Sequence, residues 1–484
     1  MTARYTLTAL STLVFAFAQA QTIRSIPLTD QRTHAGSLHP APEGALCSIE
    51  MDHTACLNEE AARELWMRAN ANVERIRSAN PTALPAERGN HPLFTWPTRP
   101  KAGFDEPGYY TVNFLVDHNT TPNNNLRDYN CGTRTYDWAT GNHLGTDIIL
   151  WPYAWRRMDE GVMEVIAAAP GTIVDKRTGF SDTQCVNAGD PNWNGVVVQH
   201  SDGSRAIYMH FKAAGITPKG VGETVEAGEY LGLAGSSGSS NWPHLHFEVR
   251  DAGYDPIDPW AGPCNTFNGD DSWWAEQQPV YVPRINHIST HYTRREFYQC
   301  PVPETTYEQS NFEIGDSLVM KLYFRDLNTG AVTDLRIRNA QGTVVTSWDF
   351  ASPWSFAATT WGWWFWVLDN SWATGAYTFE ATFDGQDYVR PFTIGMPIGM
   401  DEAQALPFRL MPNPANETLR LSELPQGEGR ASIVLYDATG RVVRSTTAES
   451  TTAELSVYDL PAGAYQLELL TDRQRRSAHV MITH

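Results

Sequence analysis

The sequence predicts a mainly β chain: an antiparallel β-sheet domain, an immunoglobulin-like β-sandwich after it, a small C-terminal β-sandwich, and one N-terminal helical segment. Three observations carry that reading. At 484 residues the chain is too long for one ordinary domain and has room for roughly two to four. Leu318, Met320, Leu322 and Phe324, and again Tyr377, Phe379, Ala381 and Phe383, recur with period two, which puts one strand face inside and the other in water. Between residues 109 and 258 short apolar runs are cut by Gly and Asn turns, the pattern of an antiparallel assembly.

The elements follow in order. Residues 1–20 read as a signal peptide, with Arg4 the single charge, a mostly apolar run from Leu7 to Ala18, and the small-x-small tripeptide Ala18-Gln19-Ala20. That run is too short to span a bilayer comfortably. No other stretch is long and apolar enough, so no transmembrane segment is expected once the signal is removed. Residues 21–108 read as an N-terminal extension or propeptide. Within it a helix is predicted from about Asn58 to Ala79: Asn58 caps it, Glu59 and Glu60 suit its first turn, and Asn80-Pro81 ends it. Ala62, Leu65, Ala69, Val73 and Ile76 form its apolar face. Residues 109–262 form the antiparallel domain and 263–395 the larger sandwich, in which the aromatic run 361–366 reads as a core strand more readily than as a binding face. A linker follows at 396–407, then a small period-two β domain at 408–484.

The net charge of −19 becomes −20 without the signal. Such a surface repels the phosphates of nucleic acid, so no nucleic-acid partner is expected. Six cysteines in an exported chain suggest disulfides, and no C-x-x-C pair points instead to a thiolate zinc site. Proximity in sequence favours Cys47–Cys56, Cys131–Cys185 and Cys264–Cys300.

The chemistry lies in two short motifs. In His244-Leu245-His246 on a strand, side chains alternate, so both imidazoles enter one cleft. In His143-Leu144-Gly145-Thr146-Asp147, Gly145 is expected to let the backbone turn so that both ends reach one metal. Two histidines and a carboxylate with a fourth position left open is the donor set of catalytic zinc. Either motif alone is a weak signal; both in one exported β-rich segment are much stronger.

Residues 143–250 resemble the lysostaphin and LytM-type zinc metallo-endopeptidases. The likeness runs through the two motifs, through 165–174 (VIAAAPGTIV), 195–200 (GVVVQH), Tyr208-Met209-His210, 225–228 (VEAG), Gly232, Gly235, 236–238 (SSG) and 243–248 (PHLHFE). The resemblance implies the duplicated hybrid motif fold and one Zn2+ per chain held by His143, Asp147 and His246. It implies His210 and His244 as the catalytic pair, and zinc-activated water that hydrolyses peptide stems or cross-bridges of peptidoglycan. With no H-E-x-x-H glutamate, a histidine must move the proton, and Glu248 is expected to support a ligand. The sequence departs from the family at 151–160 and 178–193, two insertions expected at the cleft rim, where Trp151, Tyr153 and Trp155 would stack on substrate or pack on the N-terminal helix. Asn142 or Asn130 could cap the metal in a latent form. Residues 408–484 resemble the type IX secretion sorting domain through 411–414 (MPNP), 434–437 (VLYD), 440–443 (GRVV) and 460–465 (LPAGAY). That resemblance implies export across both membranes by the type IX machinery, to the medium or the cell surface. The competing readings are a non-enzymatic wall- or protein-binding module on the same scaffold, and a general exported protease of Gly-rich proteins.

Overall fold

The computed structural model describes residues 22–483 apart from 29–30, 40–41, 51–55, 85–89, 122, 124, 186–189, 295–299, 301–303, 396–408, 423, 425–430, 438–441, 449 and 471–474. The expected signal peptide at 1–20 and the linker at 396–407 lie outside the described residues. Contacts divide the chain into two units, residues 1–394 and 395–484. Among the described residues no helix is long and apolar enough to cross a membrane.

The mainly β fold holds, and it is built almost entirely from antiparallel pairs. The sheet that carries the site runs Thr224–Val225, Gly171–Arg177, Gly195–Gln199, Arg205–Met209, His244–Arg250, Gly145–Leu150 and Tyr110–Phe114, with Pro256–Ile257 also paired to His244–Arg250. One of its faces buries Leu245, Phe247, Tyr208 and Val198 in the main core. A small sheet of Tyr230–Leu233, Met163–Ile166 and Thr98–Pro100 lies beside it.

The helix Glu59–Ala79 begins where the sequence places it. Asn58 Oδ1 accepts from Ala61 N at 2.9 Å, and Ala62, Leu65, Ala69, Val73 and Ile76 are its buried residues. That stripe packs on Val197, Ile207 and Met209 of the large sheet. Arg68 grips the buried Asp175 with two hydrogen bonds of 2.9 and 2.8 Å. A second helix, Ala154–Asp159, was not predicted.

The larger sandwich is completed by chain from the far end. Its first sheet runs Thr22–Pro27, Glu43–Glu50, Phe356–Val367, Ser317–Asn328 and Arg284–His291; its second takes in Arg32–Thr33 at an edge. The strands Thr22–Pro27, Arg32–Thr33 and Glu43–Glu50 are therefore part of this sandwich. The aromatic run is an interior strand. Trp364 points into the sandwich core, while Trp361 on the opposite face joins the core of the site-bearing domain.

The disulfides correct the expectation from sequence proximity: Cys131 bonds Cys264, and Cys185 bonds Cys300. The bonds bridge 133 and 115 residues of chain, so the tertiary fold, not local spacing, chose the partners. Cys47 and Cys56 are not bonded to each other. Cys47 is buried in its strand with its thiol 3.4 Å from Ser25 Oγ, and Cys56 lies elsewhere, described below.

The insertion at 151–160 also departs from expectation. Trp151, Tyr153 and Trp155 are buried, and they pack against the sandwich instead of the cleft or the N-terminal helix. Trp151 Nε1 donates to Phe324 O at 2.9 Å, its ring meets Tyr323 and Trp361, and the Tyr153 hydroxyl bonds that of Tyr323. Broad aromatic surface is most effective where it is removed from water on every side. The second insertion does reach the site: Gln184 N donates to Ser236 O, and Ser236 N to Asp182 O.

In the second unit, one sheet of Arg409–Met411, Thr418–Ser422 and Thr452–Ser456 and another of Val442–Ala448, Ala431–Tyr436, Gly463–Leu470 and Arg475–Ile482 enclose a core of Leu419, Leu421, Ile433, Leu435, Leu467 and Val480.

Candidate metal and catalytic site

The strand His244–Arg250 pairs with Gly145–Leu150 so that His246 stands directly opposite Asp147. Directly paired residues share a face, so both project from one side of the sheet. His143 lies just before the second strand, and its ring stacks on Tyr136 at 4.4 Å.

Three ligand atoms converge. His143 Nε2 lies 3.3 Å from His246 Nδ1 and 3.2 Å from Asp147 Oδ1, and His246 Nδ1 lies 2.9 Å from Asp147 Oδ1. Bonds of about 2.0–2.1 Å to a tetrahedral zinc would hold ligand atoms about 3.3 Å apart, so the triangle has the right size. The far side of each ring supports the same reading. His143 Nδ1 lies 2.8 Å from Leu115 O, and His246 Nε2 lies 3.2 Å from Glu248 Oε2, itself bound to Arg250 Nε at 2.6 Å. Those acceptors hold the protons on the outer nitrogens, so the inner nitrogens aim lone pairs at one point beside a carboxylate. Three converging lone-pair donors fit a cation.

Gly145 acts differently from the expectation. It lies inside Gly145–Leu150 and is not among the left-handed glycines. A Cβ there would lie 2.6 Å from His246 Cε1. What the glycine supplies is room for the ligand ring.

His210 and His244 complete the group, with ring centroids 4.4 Å apart. His210 Nδ1 lies 2.6 Å from Ser237 O, and His244 Nδ1 lies 2.7 Å from Trp242 O. In both rings Nε2 is buried with no hydrogen-bond partner, so both rings offer Nε2 to the same interior. His210 has φ +67°, a left-handed conformation that costs of order 1–3 kcal/mol in a non-glycine residue and is often retained at functional sites. Burial and the neighbouring His244 lower the His210 pKa. Burial opposes charge on His244 as well, but Asp147, Cys56 and the Trp242 carbonyl together outweigh it and raise that pKa. Asp147, despite burial, is held well below the usual carboxylate range by His143 and His244.

Two site residues escaped the sequence reading. Tyr136 stacks on His143, and its hydroxyl lies 3.1 Å from Cys56 Sγ. Cys56 is the second: its sulfur groups within 4.8 Å of ligand atoms of His210 and His246, and of Asp147 and His244. No local pattern marks either residue. Asn142 does not cap the site, since its side chain bonds Asn119 O.

Residues 143–259 match the model of Peptidase family M23, and residues 409–483 match that of a secretion system C-terminal sorting domain. Residues 143–259 are thus similar to peptidases of the M23, LytM/lysostaphin type, and residues 409–483 to a C-terminal sorting domain of a secretion system. The DD-carboxypeptidase/endopeptidase Mpg of Neisseria meningitidis serogroup B is 36% identical over 66 residues, 14% of this chain and 14% of its own length. Glycyl-glycine endopeptidase ALE-1 of Staphylococcus capitis is 32% identical over 130 residues, 26% of this chain and 29% of its own length. The chain therefore spans well under half of the curated relatives it matches. Among solved structures, the catalytic domain of the prophage-encoded M23 protein EnpA from Enterococcus faecalis is 21% identical with a TM-score of 0.20, covering 34% of this chain and 95% of that one.

Proposed function

We propose that this protein is a secreted zinc-dependent endopeptidase that hydrolyses peptide bonds in the cross-links of bacterial peptidoglycan. The observation that carries the reading is the convergence of His143 Nε2, Asp147 Oδ1 and His246 Nδ1 beside two further imidazoles whose Nε2 atoms are buried without a hydrogen bond, that of His244 3.7 Å from Asp147 Oδ1. His143, Asp147 and His246 would hold one zinc ion. When bound, zinc would supply a Lewis acid that polarises the scissile carbonyl and acidifies water.

The chain's own residues do the rest. The Leu115 carbonyl and Glu248 fix which nitrogen of each ligand ring faces inward. His210 and His244, each anchored through Nδ1 by a backbone carbonyl, jointly accept the proton of the attacking water and steady the oxyanion, and they return a proton to the leaving amine. Peptidoglycan stems or cross-bridges are the substrate that the family and the printed activities of the relatives support. The type IX machinery is the export partner. A full set of five site residues argues against a non-enzymatic wall-binding module, which would have no use for the two orphaned imidazole nitrogens.

The test is a digest of purified peptidoglycan by the secreted protein, with mass analysis of released muropeptides with and without chelator. Chelator-sensitive release of stem or bridge fragments is expected. Release indifferent to chelator, or cleavage confined to Gly-rich proteins, would refute the reading.

A further inference from the structure

His210 and His244 share one mount, the segment 235–237. Gly235 N donates to His210 O and His244 N donates to Gly235 O, each at 2.9 Å. Ser237 O lies 2.6 Å from His210 Nδ1, and Ser236 Oγ lies 2.8 Å from Ser240 Oγ, itself 3.4 Å from His244 Nδ1. Ser236 is fully buried, and it rests on the second insertion. Its N–H donates to Asp182 O at 3.1 Å, its carbonyl accepts from Gln184 N at 2.9 Å, and its hydroxyl donates to Gln184 O at 2.8 Å. A buried N–H and carbonyl part from such partners only at a cost, so a displacement of 182–184 passes to the mount.

The segment 180–185 has no core of its own. None of its residues is buried, and Ser181 and Thr183 are exposed, so bonds and not apolar burial keep it in place. The side chain of Asn194 bonds both the N–H and the carbonyl of Phe180, at 2.9 and 2.8 Å. Asp182 Oδ2 accepts from Ala213 N at 2.6 Å. Cys185 is bonded to Cys300 in the sandwich region. The chain after Cys300 is anchored in turn: Glu304 Oε2 accepts from Trp155 N at 3.1 Å and from Arg156 N at 3.2 Å, and Glu308 Oε1 lies 3.0 Å from His287 Nε2.

We propose that Asp182 and the Cys185–Cys300 disulfide are positioning groups for the His210–His244 pair, so that turnover depends on the covalent bond between the second insertion and the sandwich. Neither group touches the reacting atoms. They act through Ser236 and Ser237, by holding fixed the segment from which both imidazoles are aimed. Catalytic groups work at full rate only while they are held in the productive geometry beforehand. The metal ligands are supported from elsewhere, by the Leu115 carbonyl and by Glu248, so loosening the mount affects the proton-moving pair and spares metal binding. The proposal rests on the peptidase reading above and deepens it.

The test uses the full chain on a soluble cross-linked muropeptide, with kcat, KM and metal content measured for each variant. In the double variant Cys185→Ser with Cys300→Ser, kcat should fall by about 10- to 100-fold, as expected for catalytic groups displaced by up to about 1 Å. KM should change little, and about one metal per chain should remain. The double variant Cys131→Ser with Cys264→Ser is the control: it removes the other disulfide and should keep kcat. Asp182→Ala should lower kcat in the same manner, and Asp182→Asn, which keeps an acceptor for Ala213 N, should restore most of it. Should the cysteine variants fail to fold, the two Asp182 variants decide. An unchanged kcat in Cys185→Ser with Cys300→Ser, a loss of turnover that runs in step with loss of metal, or an Asp182→Asn no better than Asp182→Ala overturns this proposal and leaves the peptidase reading standing. Absence of turnover in the unmodified, metal-loaded chain overturns the peptidase reading, and this proposal with it.

Discussion

Gly145→Ala tests the site without touching a ligand. The added Cβ would lie 2.6 Å from His246 Cε1, 2.7 Å from Nε2 and 3.0 Å from the Phe247 carbonyl oxygen. Ordinary contact begins at 3.4 Å, so the ring must retreat by about 0.8 Å. It has nowhere to go at constant bonding, because Nδ1 is held at 2.9 Å from Asp147 and Nε2 at 3.2 Å from Glu248. Displacing a supported ligand typically costs about 10- to 100-fold in metal affinity, or roughly 1.4–2.7 kcal/mol. A shift approaching 1 Å in a catalytic group costs about 100-fold in rate. Overpacking adds about 1–3 kcal/mol of destabilisation. Zinc affinity measured by chelator competition should therefore fall by one to two decades, while circular dichroism keeps its β signature. Wild-type metal affinity and activity in Gly145→Ala would show that the ring does not need that space, and the site geometry described above would be wrong.

Four further outcomes are expected. Alanine at His143, Asp147 or His246 should abolish metal binding and activity together, whereas alanine at His210 or His244 should abolish activity and keep about one metal per chain; metal analysis alongside a muropeptide assay separates the two groups. Trp151→Ala should cost about 3–5 kcal/mol, because the ring is fully buried between two domains, and the remaining folded protein should keep its KM; a raised KM at unchanged melting temperature would return the ring to the cleft. Burial raises the Glu304 carboxyl to about 8 from 4.5, against the Arg156 and Trp155 backbone amides that bond it. A raised folded pKa gives stability that is full below about 4.5 and is lost as pH rises through about 8, at a slope of at most about 1.4 kcal/mol per pH unit, so Glu304→Gln should flatten the melting-temperature profile between those limits and an unchanged profile would refute the shift. A chain ending at Gly395 should retain its specific activity on isolated walls yet accumulate in the periplasm of the native host, since residues 395–484 form a separate unit; normal export on fractionation would contradict a sorting role.

The readings that came directly from the sequence are those in which a local period or a short spacing contains the physics. The strands of Leu318 to Phe324 and Tyr377 to Phe383 declare themselves because a pleat puts every second side chain on one face. The helix after Asn58 does so because its cap, its acidic first turn and its apolar stripe fall within about two dozen residues. His244 and His246 share a face for the same reason as any i, i+2 pair on a strand. The lone pairs of His143 and His246 could be expected to meet, but not the carbonyl of Leu115 or the carboxylate of Glu248 that aims them.

What only the tertiary structure decided is where distant segments meet. Cys131 passes over Cys185 to bond Cys264, strand Glu43–Glu50 adds itself to Phe356–Val367, Trp151 turns from the cleft to the sandwich, and Cys56 arrives among three histidines and an aspartate more than 80 residues along the chain. None of these has a period or a spacing to read. Each is set by which buried surfaces fit together once the sheets have formed, a long-range choice in which loop length costs little and complementary packing decides.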